Sequence, residues 1–365
     1  MNEQQFIPTK YSNTIDSGKF TWASPSNIAL VKYWGKKKDQ IPENPSISFT
    51  LETCKTITSL SFSKRKLNSN FSFDIFLDNE QKDDFKPKIE TFFKRIEEYL
   101  PFLKDYHFVI ETTNTFPHSS GIASSASGMS ALAMCLMSIE KQLNSGMTTH
   151  YFNQKASFLA RLGSGSACRS VEGDLIVWGE HDMIDGSSDL FGIKYPYEVH
   201  PVFKNYQDTI LLVDKGEKQV SSTVGHDLMH GHAFAHQRFK QANDNMAKLI
   251  QVLKNGDVDA FIEIMESEAL SLHAMMMTSI PYFILMKPNT LEIINKIWLF
   301  RQNTGLPISF TLDAGANVHV LYPEKDTEQI LEFIKNELVA YCQNGHYICD
   351  KIGFGAQQLT ICINF

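Results

Sequence analysis

Pro117-His118-Ser119-Ser120-Gly121-Ile122-Ala123-Ser124-Ser125-Ala126-Ser127-Gly128 runs without a break into Met129-Ser130-Ala131-Leu132-Ala133-Met134. Glycine lets a backbone approach a ligand closely, and free amides and serine hydroxyls at a helix start turn partial positive charge toward it. A phosphate suits such a loop. The Gly-Lys-Ser/Thr ending of a Walker A loop is absent, so this is a phosphate loop of another kind or a glycine-rich connection with ordinary capping serines. Beyond it, alanine, methionine and leucine at helical spacing predict a helix over 124–140, its first turn capped by the serines.

Working outward, the chain before the loop alternates short β-rich runs with turns, which makes this an α+β or α/β layer protein. Residues 27–34 and 46–53 read as strands, rich in β-branched and aromatic side chains. Near residue 205 the texture changes. Thr209-Ile210-Leu211-Leu212-Val213 reads as a buried strand, and a helical pattern runs from Leu228 to Asn255. A boundary there divides the chain into 1–205 and 206–365. Further on, Thr290–Asn303 and Glu328–Tyr341 read as helices, and Ile308–Leu312, Val318–Tyr322 and Leu359–Ile363 as strands.

The chain has 365 residues, 43 % of them hydrophobic, enough for a substantial core in two domains of ordinary size. Its net charge of −7 is modest and its charges are mixed, with one basic run at Lys36-Lys37-Lys38, so nucleic acid is a poor partner. No apolar stretch reaches the length of a membrane span, and Met1-Asn2-Glu3-Gln4-Gln5 lacks the basic start of a secretory signal. A cytoplasmic protein is expected. Cysteines 54, 135, 168, 342, 349 and 362 form no C-x-x-C pair and read as reduced, buried thiols.

Three further segments carry chemistry. Arg161-Leu162-Gly163-Ser164-Gly165-Ser166-Ala167-Cys168-Arg169-Ser170 packs hydroxyls and a planar guanidinium into a small volume, which grips a carboxylate or phosphate; the plainer reading is a turn with a surface arginine. Asp313-Ala314-Gly315-Ala316-Asn317 follows an apolar strand, and the small residues leave room for a substrate before the aspartate. It reads equally as a cap or turn. Lys32, in Asn27-Ile28-Ala29-Leu30-Val31-Lys32-Tyr33-Trp34-Gly35-Lys36, sits in an apolar strand, where a buried ammonium requires an anion such as an aspartate or a substrate phosphate; the plainer reading is a strand with one solvent-facing lysine. His226, His230, His232 and His236 hold two i, i+4 pairs, but no glutamate lies within either pair, and a solvated helix face is the preferred reading over a metal site. Met275-Met276-Met277 reads as core or cleft lining.

Together these segments resemble the diphosphomevalonate decarboxylases of the GHMP kinase superfamily, from residue 23 to about residue 320. The opening Asn-Ile-Ala, two apolar residues and Lys-Tyr-Trp-Gly-Lys are complete at 27–36, and Asn44-Pro45-Ser46-Ile47-Ser48-Phe49-Thr50-Leu51 is kept. The Gly-Ser-Gly-Ser-Ala-Cys-Arg-Ser run is whole, and the family's Asp-Ala-Gly-Pro-Asn has Ala316 in place of proline. Lys218 through Gly225 and Leu272-His273-Ala274 are also similar to family segments. Ser119-Ser120 and Leu162 depart from the pattern.

The resemblance implies an α+β, GHMP-kinase-like fold. Its N-terminal domain would be like ribosomal protein S5 domain 2, its C-terminal domain ferredoxin-like, with the active site between them and a homodimer overall. It implies ATP and Mg²⁺, with Ser119, Ser120, Gly121, Ala123, Ser124 and Ser125 at the nucleotide and Ser125 on the metal. Asp313, Lys32 and Arg169 would be catalytic, and Tyr33, Lys36, Ser164, Ser166 and Asn27 would bind substrate. The implied reaction is ATP-dependent decarboxylation of 5-diphosphomevalonate to isopentenyl diphosphate in the mevalonate route to isoprenoids. Action on the 5-monophosphate, phosphorylation without decarboxylation and mere binding are the alternatives. In the family an arginine at the head of a Trp-Leu-Asn-Gly-like strand helps hold the diphosphate; in Phe73–Asn79 here Asp74 takes that place, and it would repel a diphosphate. Lys36, Lys37, Lys38 and Tyr33 would compensate, so the diphosphate stays the first expectation.

Overall fold

In the computed structural model the described residues are 2–66, 70–117, 122–214 and 222–359. Ser119, Ser120, Gly121 and Lys218 lie outside them, as do the last residues of the strand expected over 359–363. The first half is built on β1 (Ser17–Val31), β2 (Ser46–Lys64), β3 (Ser72–Leu77), β4 (Glu80–Gln81), α1 (Lys86–Ile96), β5 (Tyr106–Asn114), α2 (Ser124–Leu143), α3 (Thr149–Gly163), β6 (Leu175–Trp178) and β7 (Ile193–Lys194). The second comprises β8 (Gln207–Leu211), α4 (Ser222–Asp227), α5 (Ala235–Asn255), α6 (Val258–Met277), α7 (Pro288–Thr304), β9 (Ser309–Thr311), β10 (Val318–Tyr322), α8 (Thr327–Phe333), β11 (Tyr347–Lys351) and β12 (Gln357–Gln358).

Among the described residues the larger sheet runs β12-β1-β2-β5-β3-β4, with β6 on β2 and β7 on β6, while a second sheet runs β11-β8-β10-β9. β1 and β2 pair antiparallel from Ser17↔Ser63 to Val31↔Ile47, with register shifts between Pro25 and Asn27 and between Ala29 and Val31. Proline has no N–H to give the ladder, so a break beside Pro25 is its expected consequence. The strand expected to end at Trp34 ends at Val31. Beyond it the Lys32 N–H donates to a Glu268 carboxylate oxygen at 2.8 Å and the Lys32 carbonyl accepts from Asn44 at 3.0 Å. Lys32 has therefore left the sheet.

Helix α2 is found where its spacing predicts, but no serine caps it. Ala123, left-handed at φ 44°, precedes the first turn without a side-chain hydrogen bond. The serines bond sideways instead: Ser127 Oγ lies 2.6 Å from Thr56 Oγ1, and Ser130 Oγ donates to Ser24 Oγ at 3.2 Å. The helical pattern expected from Leu228 to Asn255 divides at Gly231, whose φ of 76° suits glycine, and α5 starts at Ala235. The helix expected over 328–341 is α8 followed by a π turn and a 3₁₀ turn.

One apolar core lies under α2 and α3, around Phe93, Phe108, Leu136 and Phe158. Another joins the halves, with Ile28, Leu30 and Phe49 meeting Ile210, Leu249 and Met265. A third packs α7 and α8 on the smaller sheet through Ile293, Phe310 and Val320. The first encloses an ion pair: Lys155 Nζ lies 2.6 Å from Glu140 Oε1 and donates to the Tyr99 carbonyl at 2.9 Å. Burial lowers the Lys155 ammonium and raises the Glu140 carboxyl from their ordinary values, opposed on both sides by the partner. Removing one partner strands a buried charge, so Lys155→Met should lower the unfolding free energy by about 3–5 kcal/mol, read from urea midpoints. The double variant Lys155→Met, Glu140→Met should recover most of it.

Candidate active site

A cavity of ≈ 430 Å³ lies between the ends of β1, α2 and α3 on one side and α4, α6 and the loop after β9 on the other. Asn27, Lys32, Tyr33, Lys36, Ala123, Ser124, Ser125, Ser164, Ser166, Arg169 and Asp313 all line it. Four segments distant in sequence thus meet at one cavity. Ser125 Oγ and Ser164 Oγ are 3.3 Å apart, which ties the start of α2 to the Gly-Ser turn. Gly165 has no alternative there, because a Cβ would stand 2.8 Å from the Tyr33 hydroxyl and 2.9 Å from the Trp178 ring.

The fully buried Lys32 ammonium is 3.0 Å from Asp313 Oδ1. Burial lowers Lys32 from its ordinary value, while Asp313 and then Glu268 act in the opposite sense. Helix α6 fixes both ends of this pair through their backbones: Glu268 takes the Lys32 N–H, and His273 Nε2 lies 3.1 Å from the Asp313 carbonyl. Glu268 also accepts from Arg238 and, at 2.7 Å, from Asn245. The Arg169 guanidinium donates to Ser46 Oγ at 2.5 Å, to Ser48 Oγ at 2.9 Å and to Asn27 Oδ1 at 3.4 Å. Among the described residues its Nη2 makes no hydrogen bond, which suits an anionic ligand. The Asn27 amide in turn donates to Ser170 Oγ and to the Ser166 carbonyl, so it orients Arg169 and the turn that carries it.

Several side chains unused by the sequence reading join them. Lys88, on α1, lines this cavity and also a second one of ≈ 240 Å³ walled by Thr56, Ile75, Leu77, Ile110 and Met129. The two share Lys88, Ser124 and Ser125. Lys88 is exposed as a whole residue, yet desolvation lowers its ammonium from the ordinary value. Asp74, by contrast, does not line the cavity. Its carboxylate lies 3.5 Å from His107 Nε2 and 3.9 Å from Lys86 Nζ. His226 overturns the solvated-face reading: it is 8 % exposed and lines the cavity. The i, i+4 spacing lost its meaning because α4 ends at Asp227 and α5 starts beyond His232. No group of three or more His, Cys, Asp or Glu among the described residues is placed to hold a metal. Met276 is core and Met275 packs beside it, as expected, while Met277 is exposed.

A cationic cleft between two α+β halves, with serines and a helix start on one wall and a Lys–Asp pair on the other, defines a phosphate-handling protein of the GHMP-kinase-like class. Residues 24–189 match the diphosphomevalonate decarboxylase-like N-terminal domain, and 209–355 match the mevalonate 5-diphosphate decarboxylase C-terminal domain. The diphosphomevalonate decarboxylase of Ganoderma lucidum is 30 % identical over 355 residues, covering 92 % of this chain and 85 % of that protein. The Homo sapiens diphosphomevalonate decarboxylase is 27 % identical over 86 % of this chain and 78 % of its own. Among solved structures, the mevalonate diphosphate decarboxylase from Staphylococcus aureus superposes with a TM-score of 0.79 at 27 % identity, covering 95 % of this chain and 99 % of that one. A relative in complex with MVAPP, AMPPCP and magnesium gives 0.80 at 26 %, covering 94 % and 99 %. The chain belongs to the diphosphomevalonate decarboxylase family.

Burial holds two histidines at the site uncharged. His226 is pulled down to about 3, by desolvation first and then by Lys36 and Arg169, and His273 to about 4, by desolvation against the Asp313 carbonyl. Unfolded, each binds a proton near pH 6.5, so between that pH and the folded values the unfolded chain holds more protons and stability rises with pH. The two contributions are complete above pH 6.5 and are lost on acidification. From pH 7.5 to pH 5 the loss should be about 2 kcal/mol for each histidine. Urea midpoints at the two pH values check this, and in His273→Asn the part due to His273 should vanish.

Proposed function

We propose that this protein catalyses the ATP-dependent decarboxylation of 5-diphosphomevalonate, giving isopentenyl diphosphate, ADP, phosphate and carbon dioxide. The observation that carries the reading is the Lys32–Asp313 pair on the same cavity as Arg169. A decarboxylating kinase needs an oxygen base at a hydroxyl and a separate cationic grip on a carboxylate. The cleft supports both.

In this reading Asp313 Oδ lies beside the tertiary hydroxyl and takes its proton as the γ-phosphoryl group of ATP arrives. Lys32 holds the aspartate ionised and aimed. Arg169, its planar edge set by Ser46, Ser48 and Asn27, holds the substrate carboxylate with Ser166. The new tertiary phosphate then leaves with its C–O bonding pair. The C–C bond to the carboxylate breaks, its electrons form the double bond, and carbon dioxide departs; Asp313 stabilises the positive charge that develops at the tertiary carbon. Tyr33, whose buried hydroxyl has no partner among the described residues, and Lys36 and Lys88 serve the diphosphate end.

Ser124, Ser125 and Ala123 at the start of α2 would face the ATP phosphates, with Ser119, Ser120 and Gly121 completing the loop. The neighbouring cavity, apolar with threonine hydroxyls at its edge, fits a nucleoside. Mg²⁺ keeps few protein ligands where substrate phosphates supply the rest, which agrees with the lack of an acidic cluster among the described residues. Ser125 would hold the ion, which would neutralise charge on the phosphates. The relative with MVAPP, AMPPCP and magnesium supports this set of ligands. The division at residue 205, a homodimer and a cytoplasmic location belong to the same proposal. The exposed Ile280, Tyr282 and Ile284 offer apolar surface for pairing, and no helix among the described residues is long and apolar enough to cross a membrane.

Following ADP and carbon dioxide with synthetic 5-diphospho- and 5-monophosphomevalonate tests the reading. The expected result is one carbon dioxide per ADP, with the higher specificity constant for the diphosphate. Lys88→Met should raise the diphosphate KM by about tenfold or more, the scale of losing a charged hydrogen bond to phosphate. Preference for the monophosphate would overturn the substrate, and ADP without carbon dioxide would leave a plain kinase.

A further inference from the structure

Of the four histidines between 226 and 236, His226 is the one that lines the cavity among the described residues. Its ring packs against two aromatic neighbours, with centroids 4.3 Å from Tyr33 and 4.6 Å from Trp34. Its Nδ1 lies 3.0 Å from the Gly35 nitrogen and accepts that backbone N–H. An amide nitrogen only donates, so Nδ1 bears no proton, and the neutral ring must carry its hydrogen on Nε2. No described residue accepts from Nε2.

The ring has little freedom to turn. Gly225 lies so close to Trp34 that a Cβ there would stand 2.5 Å from the indole, and Gly35, at φ +98°, leaves its own missing Cβ 2.8 Å from the Phe239 ring. Protonating Nδ1 would break the bond to Gly35 and leave a buried N–H unpaired. Beside His226 the cavity also carries the cation Lys36 and the Tyr33 hydroxyl, which has no partner among the described residues, and Lys88 lines the same cavity. A phosphate end there meets charge from the lysines, but charge alone does not fix direction.

We propose that His226 is a substrate-binding residue, a neutral donor whose Nε2–H bonds a phosphate oxygen at the phosphorylated end of the substrate. This rests on the decarboxylase reading above for the identity of that substrate. The contact aligns the phosphate with Tyr33 and Lys36 and adds no further positive charge to the wall. Its effect falls on substrate binding more than on the chemical step.

Two variants separate the donor from the ring's support of the fold. His226→Asn places an amide oxygen near Nδ1, able to accept from Gly35, but has nothing at Nε2; His226→Gln places an amide NH₂ near Nε2. With Asn the KM for phosphorylated mevalonate should rise about tenfold, the scale of one hydrogen bond to a charged group, with ATP KM unchanged. With Gln most of the loss should be recovered. Equal losses in the two variants, or a loss shared with ATP, would overturn the proposal. Nitrogen-15 NMR of the unaltered protein reads the donor without turnover: His226 should show an Nε2–H tautomer at pH 7 whose signal moves on adding inorganic pyrophosphate. A proton on Nδ1, or a signal indifferent to pyrophosphate, would overturn it as well. If the signal responds but no carbon dioxide is ever released, the donor stands and the decarboxylase reading fails.

Discussion

A buried ammonium must find a counter-charge, and at the end of β1 that requirement joins the two halves of the molecule. Lys32 is fully buried, and its partner Asp313 comes from the far side of the cleft, 281 residues along the chain. Losing one partner of such a pair costs about 3–5 kcal/mol, a large share of a domain's net stability. The rest of the site follows from satisfying this pair. Glu268 and His273, five residues apart on α6, hold the backbones at Lys32 and Asp313, and Glu268 is itself neutralised by Arg238.

The same contacts bear on chemistry. With backbone and charge both fixed, Asp313 cannot swing away when a substrate arrives, and preorganised charge is what an enzyme uses to stabilise a transition state. Arg169 is treated likewise, for Ser46, Ser48 and Asn27 set the plane of its guanidinium. The strand pairing of β1 with β2 is what brings Asn27 and these serines together, so the sheet register is also the geometry of the carboxylate grip.

Much of this was legible in the chain. Lys32 in an apolar run announced a buried pair, and the serine- and glycine-rich segments announced an anion site, because those signals are local: a lone charge among apolar residues, or glycine where backbone must come close. Helices α2 and α7 were legible for the same reason. What escaped depends on tertiary placement. Lys88 sits in a lysine-rich stretch where nothing local marks one lysine from another, and only the packing of α1 brings it to the cavity. The His226 spacing suggested a helix face, but the chain turns at Gly231, so the histidines do not share one helix. The serines of α2 looked like caps because capping and sheet contact use the same hydroxyl, and the sequence does not say which way it points. Asp74 stands in sequence where the family's arginine would, while in space Lys86 and His107 are its neighbours, which the sequence around it does not mark.

Asp313 is the residue on which the chemistry turns, and the turnover of Asp313→Asn measures its part. Asparagine keeps an oxygen to accept from the Lys32 ammonium but loses both the base and the counter-charge, so the variant should fold with lowered stability while its ATP affinity stays close to that of the unaltered protein. Turnover with saturating diphosphomevalonate should fall by at least about a hundredfold, the scale of losing a positioned acid–base group. A variant that keeps most of the parent rate would contradict the central role given to the Lys32–Asp313 pair.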